Sequence, residues 1–159
     1  MTEVERWKCE QARAWCNTIK QLSRRLQERE AAIEDLRSRY DIQAMHYDRQ
    51  GGASTLPDDK LARMIDDMDA LSADWMQTLS QWRDELAVFG RALRRIDGMS
   101  DALLTARYVR GMRWKEIARA MGYTANHASN YLHTQALLEL YEVMPPAKRD
   151  TIPDALEDS

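Results

Sequence analysis

Apolar residues recur along the first two thirds of the chain at alternating steps of three and four. Residues 3–47 contain neither Gly nor Pro, and their apolar positions include Trp15, Ile19, Leu22, Leu26, Ile33, Leu36 and Tyr40, with Arg29 at the one position of the pattern that is not apolar. Residues 57–96 repeat the pattern with one polar member, Ser72, at Leu61, Ile65, Met68, Ser72, Trp75, Leu79, Trp82, Leu86, Phe89, Leu93 and Ile96. Such spacing places an apolar stripe along one face of a helix, as in a coiled coil. The pattern predicts two long helices.

A Gly- and Pro-containing stretch, 51–59, separates these two helices and predicts a loop, with the second helix starting near Pro57. Two long helices joined by a short loop favour an antiparallel hairpin. The same stripes also fit pairing between two chains. A lone pair of helices buries little core, so we expect a dimer or a higher homo-oligomer.

Shorter helices are predicted after the hairpin, because Gly residues recur at short intervals. Gly98 is the expected left-handed end of the second long helix, and Ser100 is the expected cap of a helix over 101–110. Gly111 ends that helix, and a further helix is predicted over 114–121 with Trp114 on its inner face. The remaining features are a turn at Gly122-Tyr123, with Tyr123 in the core, and a Thr124 cap on a helix from 125 to about 140.

Two short helices joined by a tight turn to a further helix are typical of a helix-turn-helix, which places its last helix in the DNA major groove. We therefore predict an all-α fold: a long antiparallel helical hairpin or coiled coil followed by a C-terminal helix-turn-helix domain. The predicted domains are the hairpin (1–97), the helix-turn-helix (98–144) and a disordered acidic tail (145–159).

The charge of the chain is unevenly distributed. The formal net charge is -3, which by itself argues weakly against a nucleic-acid partner. Residues 1–90 carry 13 Lys/Arg and 17 Asp/Glu, whereas residues 91–140 carry eight basic and four acidic residues. The positive charge therefore lies where the helix-turn-helix pattern lies.

Residues 103–140 carry a set of positions that form one pattern: Leu104, Arg107, Tyr108, Gly111, Trp114, Glu116, Ile117, Ala118, Gly122, Tyr123, Thr124, Leu132, His133, Ala136 and Leu137. Over these roughly forty residues the chain resembles region 4 of bacterial sigma factors, and more closely the phage and prophage late-gene regulators of the RinA and ArpU type. The resemblance implies a transcription regulator that contacts double-stranded DNA, RNA polymerase or both, in the cytoplasm of a bacterial host cell.

Candidate DNA-binding residues fall into two groups. Basic side chains suited to phosphates precede the last helix, at Arg107, Arg110, Arg113, Lys115 and Arg119; a merely solvated face is the alternative. Polar side chains suited to base edges lie on the last helix, at Asn126, His127, Ser129, Asn130, His133 and Thr134. Residues 122–147 contain no Lys or Arg, so this helix has no strong guanine reader. His133 is also a candidate for a structural or phosphate-facing role.

Other function classes are disfavoured by the sequence. No Gly-rich phosphate loop, nucleophile motif or metal-ligand spacing is present, so we expect no enzyme, no cofactor and no metal. No apolar run approaches a membrane span. Cys9 and Cys16 lie about 10 Å apart along one helix, so we expect reduced thiols, with a cross-chain disulfide as the alternative. A small terminase-like DNA-packaging subunit and a protein-interaction adaptor remain alternative functions.

Overall fold

In a computed structural model, which describes residues 1–49 and 58–157, every regular element within those ranges is a helix. The two long helices are confirmed: α1 spans Glu3–Arg49 and α2 spans Asp58–Leu93. Both begin with acidic residues in the first turn, which suits the positive end of the helix dipole. Residues 51–57 of the predicted loop, Pro57 among them, lie outside the described residues, whereas its last two residues, Asp58 and Asp59, begin α2.

The junction after α2 differs from the prediction at Gly98. That residue is the first residue of α3, Gly98–Leu104, and Asp97 is its cap, accepting a 3.0 Å hydrogen bond from the backbone N–H of Met99. Among the described residues only Gly111 and Gly122 have a positive φ. Ser100, the expected cap, is buried within the first turn of α3 instead.

Short helical segments complete the chain. α3 continues into a π-helical turn, Thr105–Val109, and α4 spans Trp114–Met121 as predicted. The last long helix, here called helix 125–143, consists of α5 (Ala125–His127), a second π-helical stretch (Ala128–Leu132) and α6 (His133–Val143). A 3₁₀ turn, Pro146–Lys148, and α7, Asp154–Glu157, follow it.

The chain forms two compact units whose boundary is not at the predicted residue 97. The core unit contains Met1–Gln21 and Asp84–Ser159, and the hairpin unit contains Leu22–Arg83. The first turns of α1 and the last turns of α2 thus belong with the short C-terminal helices rather than with a separate hairpin domain.

In the hairpin unit, α1 and α2 of the same chain run antiparallel. Arg29 forms a 2.9 Å ion pair with Asp74, and the Tyr40 hydroxyl donates a 3.2 Å hydrogen bond to Asp67. A contact further along α1 therefore falls earlier on α2, which is the order expected of an antiparallel pair. The hairpin within one chain, one of the two arrangements left open by the sequence, is the one that the structure has.

The core unit holds the hydrophobic core. Trp15 of α1 packs edge-on against Phe89 of α2, with ring centroids 5.1 Å apart. The largest fully buried side chains come from five helices and are Phe89, Ile19, Leu103, Leu104, Ile117, Leu137, Leu140 and Cys16. The short C-terminal helices are thereby built on the ends of the two long ones.

The segment after helix 125–143, predicted to be a disordered tail, packs on the core unit through its first residues. Glu85 accepts hydrogen bonds from Trp15 Nε1 at 2.7 Å and from Lys148 Nζ at 2.8 Å. Arg149 donates a 3.1 Å bond to the carbonyl of Tyr141. The sequence prediction was based on the acidic composition of the tail and therefore missed the contacts of Lys148 and Arg149.

We expect Glu85→Ala to lower the free energy of unfolding by about 1.5 kcal/mol, because two hydrogen bonds to a largely buried carboxylate are lost. Glu142→Ala is the matched control, since Glu142 also pairs with a lysine, Lys8, but its side chain is 62% exposed. The control should change stability by less than about 0.5 kcal/mol. Urea unfolding followed by tryptophan fluorescence measures both, and equal effects would contradict the assignment of Glu85 as an anchor.

Both cysteines are free and buried in the core unit. Burial raises the pKa of Cys9, and it raises the pKa of Cys16 strongly. The fully enclosed Cys16 thiol is poorly placed for the cross-chain disulfide that the sequence left as an alternative. Within the described ranges, none of the helices combines the length and the apolar character that crossing a membrane requires.

Candidate nucleic-acid interface

α4 presents a polar face to solvent because its buried side is formed by Ile117 and Ala118. The helix starts at a sharp bend: Gly111 has a φ of 68°, and the backbone N–H of Arg113 donates a 2.9 Å hydrogen bond to the Glu116 carboxylate. Glu116 thus fixes the first turn of α4. The exposed face of the helix lies beside a shallow groove lined by Lys115, Glu116, Arg119 and Ala120.

The turn between α4 and helix 125–143 has the predicted geometry. Gly122 is left-handed, with φ 78°, and the N–H of Tyr123 bonds to the carbonyl of Ala118 at 2.9 Å. Thr124 caps the following helix, since its hydroxyl accepts a 3.2 Å hydrogen bond from the N–H of His127. These contacts fix the direction in which helix 125–143 leaves α4.

Four of the five predicted phosphate-contacting residues are exposed: Arg110, Arg113, Lys115 and Arg119. Arg107 differs from these four because it is half-buried and its guanidinium already has partners. Its guanidinium lies 4.9 Å from the centroid of the Trp114 ring and donates a 3.1 Å hydrogen bond to the carbonyl of Met112. Its side chain therefore stabilises the bend around Gly111 rather than facing solvent.

Among the predicted base-contacting residues, Asn126 and Asn130 are exposed and linked. Asn130 Nδ2 donates a 2.6 Å hydrogen bond to Asn126 Oδ1. Ser129 is half-buried and bonds to the backbone carbonyl of Asn126 at 3.4 Å. Thr134 is also half-buried. The two asparagines are the only members of the predicted base-contacting group that are exposed.

His133 is buried and cannot contact a base edge in this conformation, in contrast to its place among the predicted base readers. Its Nε2 lies 2.8 Å from the Tyr108 hydroxyl, and its ring centroid is 4.7 Å from that of Trp114. Burial and then the nearby charge of Arg13 lower the pKa of His133 to about 4. Burial raises the pKa of Tyr108 to about 12. Of the roles foreseen for His133, the structural one fits this environment.

A π-helical stretch explains why His133 was misplaced. Over Ala128–Leu132 the hydrogen bonds run to the fifth residue back, as in the bond from the His133 N–H to the Ala128 carbonyl. The wide turn changes the register of the helix, so the exposed stripe begun by Asn126 and Asn130 does not continue through His133. A regular 3.6-residue period, assumed from the sequence, cannot reveal this.

Two aromatic residues of this surface were missed or misassigned. Tyr123, expected in the core, is 41% exposed, and Tyr131, not predicted to take part, is 55% exposed. Both rings lie against the imidazole of His127, with centroid distances of 5.1 Å on each side. The spacing of 123, 127 and 131, four residues apart, was visible in the sequence and is the signal that could have found them.

Residues 122–138 contain no Asp or Glu, and the neighbouring α4 carries exposed Lys115 and Arg119 with Glu116 as its single acid. Residues 122–138 thus carry no Lys, Arg, Asp or Glu, whereas α4 has a net positive charge. Among the described residues, no group of three or more His, Cys, Asp or Glu side chains is placed to hold a metal ion.

Comparison of the chain with protein-family models, with curated proteins and with solved structures finds no match.

Proposed function

We propose that this chain is a DNA-binding transcription regulator of the phage type, with helix 125–143 in the major groove and the basic side chains before it on phosphates. The observation that carries the proposal is the surface just described. Helix 125–143 carries no acid before residue 139, and the turn capped by Thr124 joins it to α4, where Arg113, Lys115 and Arg119 are exposed. Such a pairing suits base contact by one element and backbone contact by the other.

Affinity in this arrangement comes mainly from the basic residues, because helix 125–143 lacks Lys and Arg. Phosphate neutralisation is insensitive to sequence and falls steeply with salt. Sequence preference is left to the asparagines, since an Asn side chain can bind adenine through two hydrogen bonds. Binding by a single copy should accordingly be modest, and two linked copies should bind a paired site more tightly.

The hairpin unit supplies a reason for self-association, which is the second part of the proposal. Within residues 22–46 and 58–83, only Leu22 and Thr78 are buried. Large apolar side chains of the same unit are exposed by 40–67%, namely Ile42, Met45, Leu61, Ile65 and Met76. Packing two such hairpins against each other would form a four-helix bundle with a shared core.

The DNA-binding proposal is tested by selecting duplexes from a random pool with the purified full chain and measuring binding of the selected duplex against salt. We expect a recurrent sequence motif and an affinity that falls steeply between 50 and 200 mM salt, by roughly a hundredfold. Absence of duplex binding at low salt would overturn the proposal and favour a protein-interaction adaptor. A stable ring of many subunits would favour a DNA-packaging role instead. RNA polymerase is a further proposed partner, testable by co-sedimentation.

The self-association proposal predicts a dimer mass by light scattering at micromolar concentration. Ile65→Glu combined with Met76→Glu should give a monomer, because charges placed on the shared apolar face cannot be buried without a partner. Gln77→Glu is the matched control, since it adds a charge at an exposed polar position beside Met76. A monomeric wild-type chain, or a dimer unaffected by both substitutions, would contradict the assignment of this face.

A further inference from the structure

Three aromatic side chains form a continuous ladder on the surface of the proposed DNA-binding element. Tyr123, His127 and Tyr131, here called the aromatic ladder, follow one another with ring centroids 5.1 Å apart at each step. The interplanar angles are 34° and 23°. The two tyrosines are 41% and 55% exposed, so the ladder is a feature of the surface and not of the core.

The geometry of the ladder restricts what it can bind. His127 lies between the two tyrosine rings, so the ring faces that meet it are already covered. A base cannot stack between the rungs without displacing the imidazole. The exposed parts of the two tyrosines lie away from these covered faces, and the hydroxyl of Tyr131 accepts a 3.0 Å hydrogen bond from Gln135. Contact of an apolar group with the exposed parts of the tyrosine rings is therefore favoured over insertion of a base between the rings.

The charges around the ladder favour nucleic acid as the occupant. The helix that carries the ladder has no acidic residue between 122 and 138, and α4, which precedes it, exposes Lys115 and Arg119. An apolar surface on an acid-free stretch of helix, preceded in the chain by a helix with exposed positive charge, complements a groove whose walls are phosphates. The apolar group that a major groove presents is the C5-methyl of thymine.

We infer that the aromatic ladder reads thymine in the major groove by packing the exposed parts of the Tyr123 and Tyr131 rings against C5-methyl groups. This inference rests on the proposed function and names the chemistry by which an Arg-free helix selects sequence. It assigns specificity to Tyr123 and Tyr131 in addition to the asparagines. It also predicts that the preferred duplex contains thymines at fixed positions.

The test replaces thymine by uracil in the selected duplex, which removes the methyl group and leaves the base pairing and charge unchanged. Wild-type affinity should fall about fourfold for each contacted methyl, the value expected for losing one buried carbon group. Tyr131→Ala should bind the thymine duplex more weakly, and its loss of affinity on changing thymine to uracil should be smaller than that of the wild type by one methyl contact, about fourfold. Tyr131→Phe keeps the ring and should show the full wild-type loss.

Asn126→Ala is the matched control, because it removes an exposed side chain of the same helix that lies outside the ladder. It should lose affinity for the thymine duplex yet keep the full sensitivity to uracil. Equal wild-type binding of both duplexes, with salt-dependent binding intact, would overturn the ladder and leave the proposed function standing. Tighter binding of single-stranded oligonucleotides than of the duplex would overturn it in favour of base stacking. Failure to bind any DNA would overturn both proposals.

Discussion

Replacing Lys115 and Arg119 together by alanine is expected to weaken duplex binding about 30-fold at moderate salt. The two side chains are exposed one helical turn apart on α4, beside the same groove. Each lost contact between a cation and a phosphate costs about 1 kcal/mol net. The loss should be equal for selected and unrelated sequences, because phosphates carry no sequence information.

Salt dependence separates this effect from a loss of folding. The slope of the logarithm of the binding constant against the logarithm of salt concentration should become shallower by about two, one unit for each phosphate contact removed. Arg24→Ala with Arg25→Ala is the matched control, since it removes the same charge from exposed positions of α1 in the hairpin unit. An identical loss in the control would show that net charge, rather than the α4 face, governs binding.

Glu116 helps to fix the positions of Lys115 and Arg119 by anchoring the start of α4. Its carboxylate is engaged by the backbone N–H of Arg113 at 2.9 Å, which fixes the start of α4. An acid within a basic face looks unfavourable for DNA binding in the sequence, but here its charge lies at the positive end of the helix. The basic side chains around it therefore have a defined direction, which a flexible basic segment would lack.

The helices that follow local rules were predictable from the sequence. α4 matches its predicted bounds because Gly111 and Gly122 both adopt left-handed conformations that terminate helices. Thr124 caps the next helix for the same local reason, a hydroxyl within reach of an N–H three residues on. Each of these features depends on a few neighbouring residues, so one sequence suffices to predict it.

Features that depend on distant residues were not predictable. In the sequence, Gly98 is compatible with the end of one helix or with the start of the next. In the structure it begins α3, because the side chain of Asp97 caps that helix. The units divide within α1 and α2, because the core forms where Trp15 and Phe89 meet the short helices. The heptad pattern of apolar residues runs through the sequence of both units, so it does not indicate where the units divide.

The candidate site shows the same limit. The exposed Lys115 and Arg119 follow from the amphipathic pattern of α4, whereas the burial of His133 comes directly after a π-helical stretch, Ala128–Leu132, that breaks the regular helical period. Arg107 matched a phosphate-binding pattern, but the ring of Trp114 lies within reach of its guanidinium. Side-chain partners across turns of this kind are set by the packed structure and not by spacing.

Acidification from pH 6.5 towards pH 4 is expected to remove about 3 kcal/mol of folding stability through His133 alone. Burial, reinforced by the charges of Arg13 and Arg107, lowers its pKa from 6.5 to about 4. The unfolded chain then binds a proton in this range that the folded chain does not, so stability rises with pH. The contribution is complete above pH 6.5 and is lost as the pH falls through the folded pKa, at about 1.4 kcal/mol for each unit.

The neighbours of His133 explain why protonation is unfavourable in the folded state. The Tyr108 hydroxyl, whose own pKa is raised to about 12, stays protonated and can donate to a neutral imidazole at 2.8 Å. A protonated ring would place a positive charge in a buried site next to Trp114, with no carboxylate among the causes of its shift to compensate the charge. The hydrogen bond between His133 and the backbone of Ser129 opposes the shift but does not cancel it.

Urea unfolding at a series of pH values measures this contribution when wild type is compared with His133→Gln. The variant should be less stable at pH 7. The difference in unfolding free energy between the two proteins should shrink towards pH 4, because only the wild type loses stability through the titration of His133. A constant difference for His133→Gln would show that the ring titrates alike in both states.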